Sequence, residues 1–170
     1  PVEGAIKYEE VVARYRPDLP PVLNGLSFDI KKGEKVGLVG RTGAGKSSLF
    51  LTLFRIVERD EGTGGGCISI DGVDVSSVGL KLLRESISII PQEPVLFVGT
   101  IRFNLDPFDQ YPDAAIWRAL DNAHMKETIK AAGEGLEMAV EENGSNFSVG
   151  QRQLICLARA LLKNSKILVL

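Results

Sequence analysis

Residues 5–8 and 11–15 are short β-favouring runs, and Pro20-Pro21 breaks the chain after them. Residues 26–30 alternate apolar with polar, which predicts a half-buried strand, and Lys31-Lys32-Gly33-Glu34 predicts a turn. Lys35-Val36-Gly37-Leu38-Val39 is a short apolar run that predicts a strand ending in a glycine-rich loop. Helical spacing follows over 47–57: Leu49, Leu53 and Val57 recur four apart, with Phe50 and Phe54 beside them. A glycine-dense loop at 61–66 leads into a hairpin over 67–70 with its turn at Asp71-Gly72.

Residues 86–90 read as a continuous apolar-leaning strand stopped by Pro91. From 91 to 112 there is little periodicity, and Pro91, Pro94, Pro107 and Pro112 interrupt the segment. A helix is expected from an N-cap at Asp113 to about residue 132, with Ile116, Leu120 and Ala123 on one face and Gly133 and Gly135 ending it. A second is expected over 149–163, with Leu154, Leu157, Ala158 and Leu161 as its apolar stripe, then a buried strand over 166–170. Mixed β, then βα, then an α-rich insert, then αβ predicts an α/β fold with a parallel core sheet.

The 170 residues suit one domain, and 44% hydrophobic with 25% charged is ordinary for a folded chain. Such a length buries roughly 70% of its unfolded surface, enough to fold without staples. Twenty Lys and Arg against 22 Asp and Glu leave a formal charge of −2, so nothing steers the chain toward nucleic acid or anionic lipid. Cys67 and Cys156 are far apart with no metal-ligand spacing, which predicts two free thiols in a reducing compartment. No apolar run approaches the ~20 residues that cross a bilayer. The chain opens on Pro1-Val2-Glu3-Gly4 and closes inside the apolar run Lys166-Ile167-Leu168-Val169-Leu170, so it is expected to be a piece of a longer protein.

The chemistry concentrates at Gly40-Arg41-Thr42-Gly43-Ala44-Gly45-Lys46-Ser47, which fits G-x-x-x-x-G-K-[ST] at every position. Glycines let successive backbone N–H groups curl around phosphates where a Cβ would collide. The helix beginning near Gly45 adds its positive end. Lys46 is placed to reach β- and γ-phosphates and the Ser47 hydroxyl to ligate Mg²⁺. An expected strand before the loop and a helix after it supply the context this motif requires, so the chain is expected to bind a nucleoside triphosphate.

Two further features accompany it. Gln92 follows the expected 86–90 strand, at the carboxyl end where ligands gather, and its amide suits a metal or an attacking water, although a plain surface loop also accounts for it. Asn146-Phe147-Ser148-Val149-Gly150-Gln151-Arg152-Gln153 opens the second helix. Ser148 and Gly150 there suit either a second anion site or an ordinary N-cap.

Taken in order, these segments resemble the nucleotide-binding domain of ATP-binding-cassette (ABC) transporters, with a phosphate loop, a glutamine loop and a signature helix usually written LSGGQ. The stretches 36–48, Ile90-Pro91-Gln92-Glu93-Pro94-Val95-Leu96-Phe97, Asn104-Leu105-Asp106-Pro107-Phe108 and 146–153 look like subfamily C, the multidrug-resistance-associated proteins, and more like the second of its two nucleotide domains. The resemblance implies a P-loop NTPase with a RecA-like parallel core sheet, an antiparallel β subdomain and an α-helical insert. It divides the chain into 1–90 (β subdomain and phosphate-loop core), 91–145 (glutamine loop and insert) and 146–170 (signature helix and the strand after it).

It also implies the roles. ATP and Mg²⁺ bind at Gly40, Arg41, Thr42, Gly43, Ala44, Gly45, Lys46, Ser47 and Ser48, with Tyr15 stacked on adenine, Lys46 and Gln92 catalytic, and Ser47 and Gln92 at the metal. Ser148, Val149, Gly150 and Gln151 serve the nucleotide of a sister domain packed head to tail. Residues near 91–108 meet transmembrane domains of the same polypeptide, on the cytoplasmic face of a membrane, and the whole drives export of organic or conjugated solutes.

The departures are Phe147 for the signature Leu and Val149 for its first Gly. The acidic pair and switch histidine that the family places after the 166–170 strand are not among these residues, so this stretch is expected to bind ATP without turnover. His124, the sole histidine, is expected to be a solvated mid-helix residue. A repair or translation ABC protein would bring basic patches or a long coiled coil before the signature, neither of which is present. A nucleotide-gated regulator or channel of the same subfamily reads alike over this stretch.

Overall fold

The computed structural model describes residues 3–60 and 64–170, which fall into two compact units, one up to Ile87 and one from Ser88 to Leu170. The first three residues of the expected 61–66 loop lie outside the described residues.

The first unit is built on a four-stranded antiparallel sheet. Strand β1 (Ile6–Ala13) pairs with β2 (Leu23–Ile30) on one side and with β3 (Cys67–Ile70) on the other, and β3 pairs with β4 (Val73–Asp74). The two runs expected at 5–8 and 11–15 are one strand. Glu10, at φ 49°, marks a bulge that shifts the register between Tyr8 and Val11 and puts Ile6, Tyr8, Val11 and Ala13 on the buried side together. The strand ends at Ala13, so Tyr15 lies on the irregular segment beyond it. The hairpin forms as expected: Asp71 and Gly72 both have positive φ, 51° and 80°, the pattern of the turn that matches strand twist.

Helix α1 (Lys46–Leu53) follows the phosphate loop but stops four residues short of the expected end. Arg55, at φ 49°, breaks it, and the Ile56 N–H turns back to the Leu51 carbonyl at 2.8 Å, which carries Val57 off the helix. Two side chains tie the helix into its unit. Buried Tyr8 donates its hydroxyl to the Leu49 carbonyl at 3.0 Å, and burial pushes that phenol up to about 12, so it stays a donor. Arg84 donates to the Phe54 and Arg55 carbonyls at 3.1 Å each, satisfying acceptors the helix end leaves open. Arg84 lies on α2 (Leu80–Ser86), which periodicity did not predict because Leu83 is its one buried residue while Leu80 and Leu82 face solvent.

The expected strand over 35–39 does not form. Val39 is fully exposed, Val36 and Leu38 are half-exposed, and no described strand pairs with this run. An apolar strand of a core sheet needs neighbours on both sides to take up its N–H and C=O groups. Sheet formation at that place therefore depends on partners the apolar pattern cannot supply.

The second unit carries most of β5 (Ile87–Ile89), then β6 (Gly99–Thr100), α3 (Ile101–Leu105), α4 (Asp113–Asn122), α5 (Lys126–Ala131), β7 (Ala139–Val140), α6 (Val149–Lys163) and β8 (Ile167–Val169). Strand β5 pairs with β8, where the Ile90 N–H donates to Val169 O at 2.9 Å, and β6 pairs with β7. Leu96, Ile101, Ile116, Leu120, Met125, Ile129 and Ile155 make a core with almost no solvent exposure.

The helix expected over 113–132 is two helices. His124, at φ 57°, turns the chain between α4 and α5, so it is an exposed turn residue and not a mid-helix one. The N-cap is Pro112; Asp113 is the first helical residue, and its carboxylate receives Arg102. Helix α6 has the expected limits, but the buried face differs. Ile155, Cys156, Ala158, Ala160 and Leu162 face inward, Leu154 and Leu157 are half-buried, and Leu161 faces solvent. Helices α4 and α6 pack against each other in the core of this unit.

Candidate functional site

Between residue 39 and α1 the chain makes a tight loop. Gly43 and Gly45 both have φ of 85°, a left-handed conformation that side chains avoid, and the Ala44 N–H closes a turn onto Arg41 O at 3.1 Å. The dihedral calls for glycine at Gly45, and a Cβ there would also press on the Val22 carbonyl at 3.0 Å. Gly45 is also the N-cap of α1 and offers no side-chain acceptor to the first-turn N–H groups, and no acidic residue stands in that turn. Those donors and the helix dipole therefore face outward, ready for an anion.

Lys46 folds its amino group back over the loop, donating to the carbonyls of Gly40 and of Arg41, the latter at 2.9 Å. No carboxylate among the described residues pairs with it. A cation held by two neutral carbonyls, beside open helix N–H groups, presents net positive potential to a ligand. Ser47 is exposed at the same rim, and a groove of about 390 Å³ runs beside the loop between Leu23, Phe28, Leu38, Gly45 and Lys46. Tyr15 is half-exposed, and its hydroxyl lies 2.8 Å from Ser48 Oγ. Residues 40–48 and Tyr15 are thus brought together within the first unit.

The remaining expected residues lie in the second unit. Gln92 is an exposed residue of the bend after β5. Ser148 is the N-cap of α6: its Oγ accepts the Gln151 N–H at 3.1 Å, and Gln151 Oε1 accepts the Ser148 N–H at 2.9 Å. This reciprocal pair leaves Val149 and Gly150 exposed at the helix start. Phe147, the apolar departure, is buried in the core, so the swap keeps its anchoring role.

Residues 91–108 present a groove of about 520 Å³ walled by Phe97, Val98, Phe103 and Pro107, with Phe97 and Val98 more than half exposed. Two residues that periodicity did not single out build its floor. Asn104, nearly fully buried, accepts the Phe97 N–H at 2.8 Å and donates to Phe97 O at 2.7 Å, holding that residue as a strand partner would. Arg159 of α6 donates Nε to Asn104 O at 2.7 Å and lies 6.0 Å from the Phe97 ring centre. Burial pulls its pKa down, with Cys156 opposing. The available signal was an arginine set between Ala158 and Ala160, within the buried stretch of a helix.

A loop curled on left-handed glycines in front of a helix N-terminus, with a lysine folded across it, defines a P-loop nucleotide-binding domain. The family model described as ABC transporter matches residues 23–170, and the chain belongs to that family. Over all 170 residues it is 56% identical to ABC transporter C family member 12 of Dictyostelium discoideum, 55% to human ATP-binding cassette sub-family C member 2 and 54% to multidrug resistance protein mrp-7 of Caenorhabditis elegans. It spans 11–12% of the length of these relatives. The fold is that of an ABC ATPase domain. A bacterial Atm1-family ABC exporter solved with ATP bound superposes with a TM-score of 0.87 and 35% identity, over 98% of this chain and 29% of that one.

Proposed function

We propose that this chain is the ATP-binding and hydrolysing module of a membrane ABC exporter of the subfamily C type, on the cytoplasmic face, and that it couples ATP-driven domain closure to export of organic or conjugated solutes. The observation that carries the reading is the Lys46 amino group, folded over a glycine loop in front of a helix start with no side-chain cap and paired with no carboxylate among the described residues. Lys46 and the 40–48 backbone take the triphosphate, Tyr15 the adenine, and Ser47 with Gln92 the Mg²⁺. Hydroxyl and amide oxygens are hard donors of the kind Mg²⁺ takes alongside waters and phosphates. Ser148, Val149, Gly150 and Gln151 face the nucleotide of a sister domain.

Calorimetric titration with Mg-ATP is the direct test, and one site per chain is the expected result. The acidic pair that the family uses for metal holding and water activation is not among residues 1–170, so these residues by themselves are expected to bind ATP without steady turnover. Sustained Mg²⁺-dependent phosphate release by them would contradict that role assignment.

The Phe97 groove is the proposed seat of the membrane domain. It is apolar, irregular and exposed, yet its backbone is held by Asn104 and Arg159, as a docking surface requires. Phe97→Asp in the full-length protein is expected to cut transport at least about tenfold, the worth of one desolvated aromatic contact, while ATP affinity holds. Normal transport at normal expression would place docking elsewhere.

A further inference from the structure

We propose that Ser48 is a positioning residue for Tyr15: it holds the ring at a set distance from the phosphate loop, so that the site draws affinity from the base of its ligand as well as from the phosphates. This rests on the nucleotide reading above. Tyr15 stands on the irregular segment after β1 and is 50% exposed, where an unrestrained aromatic side chain would visit several rotamers. Its hydroxyl is bonded to Ser48 Oγ at 2.8 Å. Ser48 is 4% exposed and follows directly on Lys46 and Ser47 in the first turn of α1. A hydroxyl so buried needs a partner, and Tyr15 supplies it.

Both ends of this tether are held by further hydrogen bonds. The Val22 N–H donates to Ala13 O at 2.8 Å and closes the Tyr15 segment at its base, while the Val22 carbonyl lies against Gly45 of the loop. On the helix side, the Tyr8 hydroxyl holds Leu49 O at 3.0 Å. Tyr8 of β1 and Tyr15 beyond the end of that strand therefore bond to consecutive residues of α1. The Tyr8 contact is buried and structural. The Tyr15 contact leaves half of its ring in solvent, fixed at the backbone end and at the hydroxyl end, beside the residues that face the triphosphate. A base that stacks there meets a ring already ordered, so less rotamer entropy is lost on binding.

The experiment compares the dissociation constants of the chain for ATP and for inorganic tripolyphosphate, which keeps a polyphosphate chain and lacks the base. Tyr15→Phe retains the ring and removes only the hydroxyl. The preference for ATP over tripolyphosphate is expected to fall about 3- to 10-fold, the worth of one hydrogen bond. Adding Ser48→Ala to Tyr15→Phe should lower that preference no further, and Ser48→Thr, which keeps a hydroxyl, should retain it. A preference unchanged by Tyr15→Phe overturns the proposal. So does an equal loss for both ligands, the mark of a contact that only stabilises the fold. If the wild-type chain binds neither ligand, the nucleotide reading itself fails; if it binds both and Tyr15→Phe leaves the preference intact, only the tether is removed.

Discussion

Lys46→Ala is expected to weaken Mg-ATP binding by about 30- to 150-fold, read by calorimetry on the same chain. The lysine folds its cation over the loop, and a charge-assisted hydrogen bond to phosphate is worth roughly 2–3 kcal/mol. Its removal has a second consequence in this structure. The amino group also bridges the Gly40 and Arg41 carbonyls, so the alanine variant loses the contact that gathers the loop before ligand arrives. Melting temperature should change little, because these bonds lie at an exposed rim and the core of the unit is formed elsewhere by Tyr8, Val11, Leu53 and Ile68. Equal affinity in wild type and Lys46→Ala would remove the phosphate-loop assignment.

A large effect of a different kind is expected from Ser148→Arg in the full-length protein. ATP binding at this domain's own loop should persist, while ATP-dependent closure onto the sister domain is lost. In the proposed arrangement closure draws on contacts made only in the closed state, so a bulky cation at position 148 is expected to act on the differential binding that drives it. Because Ser148 also caps α6, part of any effect belongs to the helix. Losing a Ser cap costs about 1 kcal/mol. Ser148→Ala removes the cap without adding bulk and measures that share, and the difference between the two variants reports the interface. Proximity labels on the two domains read closure directly. Loss of nucleotide binding in the isolated domain with closure intact would mean that the signature serves its own loop.

The contrast between α1 and the run before it shows how far local pattern reaches. Gly43, Gly45, Lys46 and the start of α1 lie within a few residues of one another, and the loop they form answers to dihedral preference and hydrogen bonds inside that span. The Asp71-Gly72 turn was legible for the same reason, and a Ser148 N-cap was one of two readings open at the start of α6. Residues 35–39 form no strand although their composition is that of one, because a strand exists only where another offers its hydrogen bonds.

Periodicity was ambiguous where two faces of one helix were both apolar. On α6, Leu154, Leu157 and Leu161 compete with Ile155, Ala158 and Leu162, and tertiary packing buried the second set more fully. The helix break at His124 had no proline or glycine to announce it. Asn104 and Arg159 gained their roles only through each other, across a long stretch of chain.

Sequence by itself determined the α/β class, the phosphate-loop string and the family, because those features are carried by short strings whose chemistry is complete within them. Tertiary structure decided which face of α6 is buried, where α1 ends, that Asn104 and Arg159 support the Phe97 groove, and that Tyr15 is tied to Ser48. Each of these turns on a contact between residues far apart in the chain, whose free energy depends on burial and partner geometry that no local window contains.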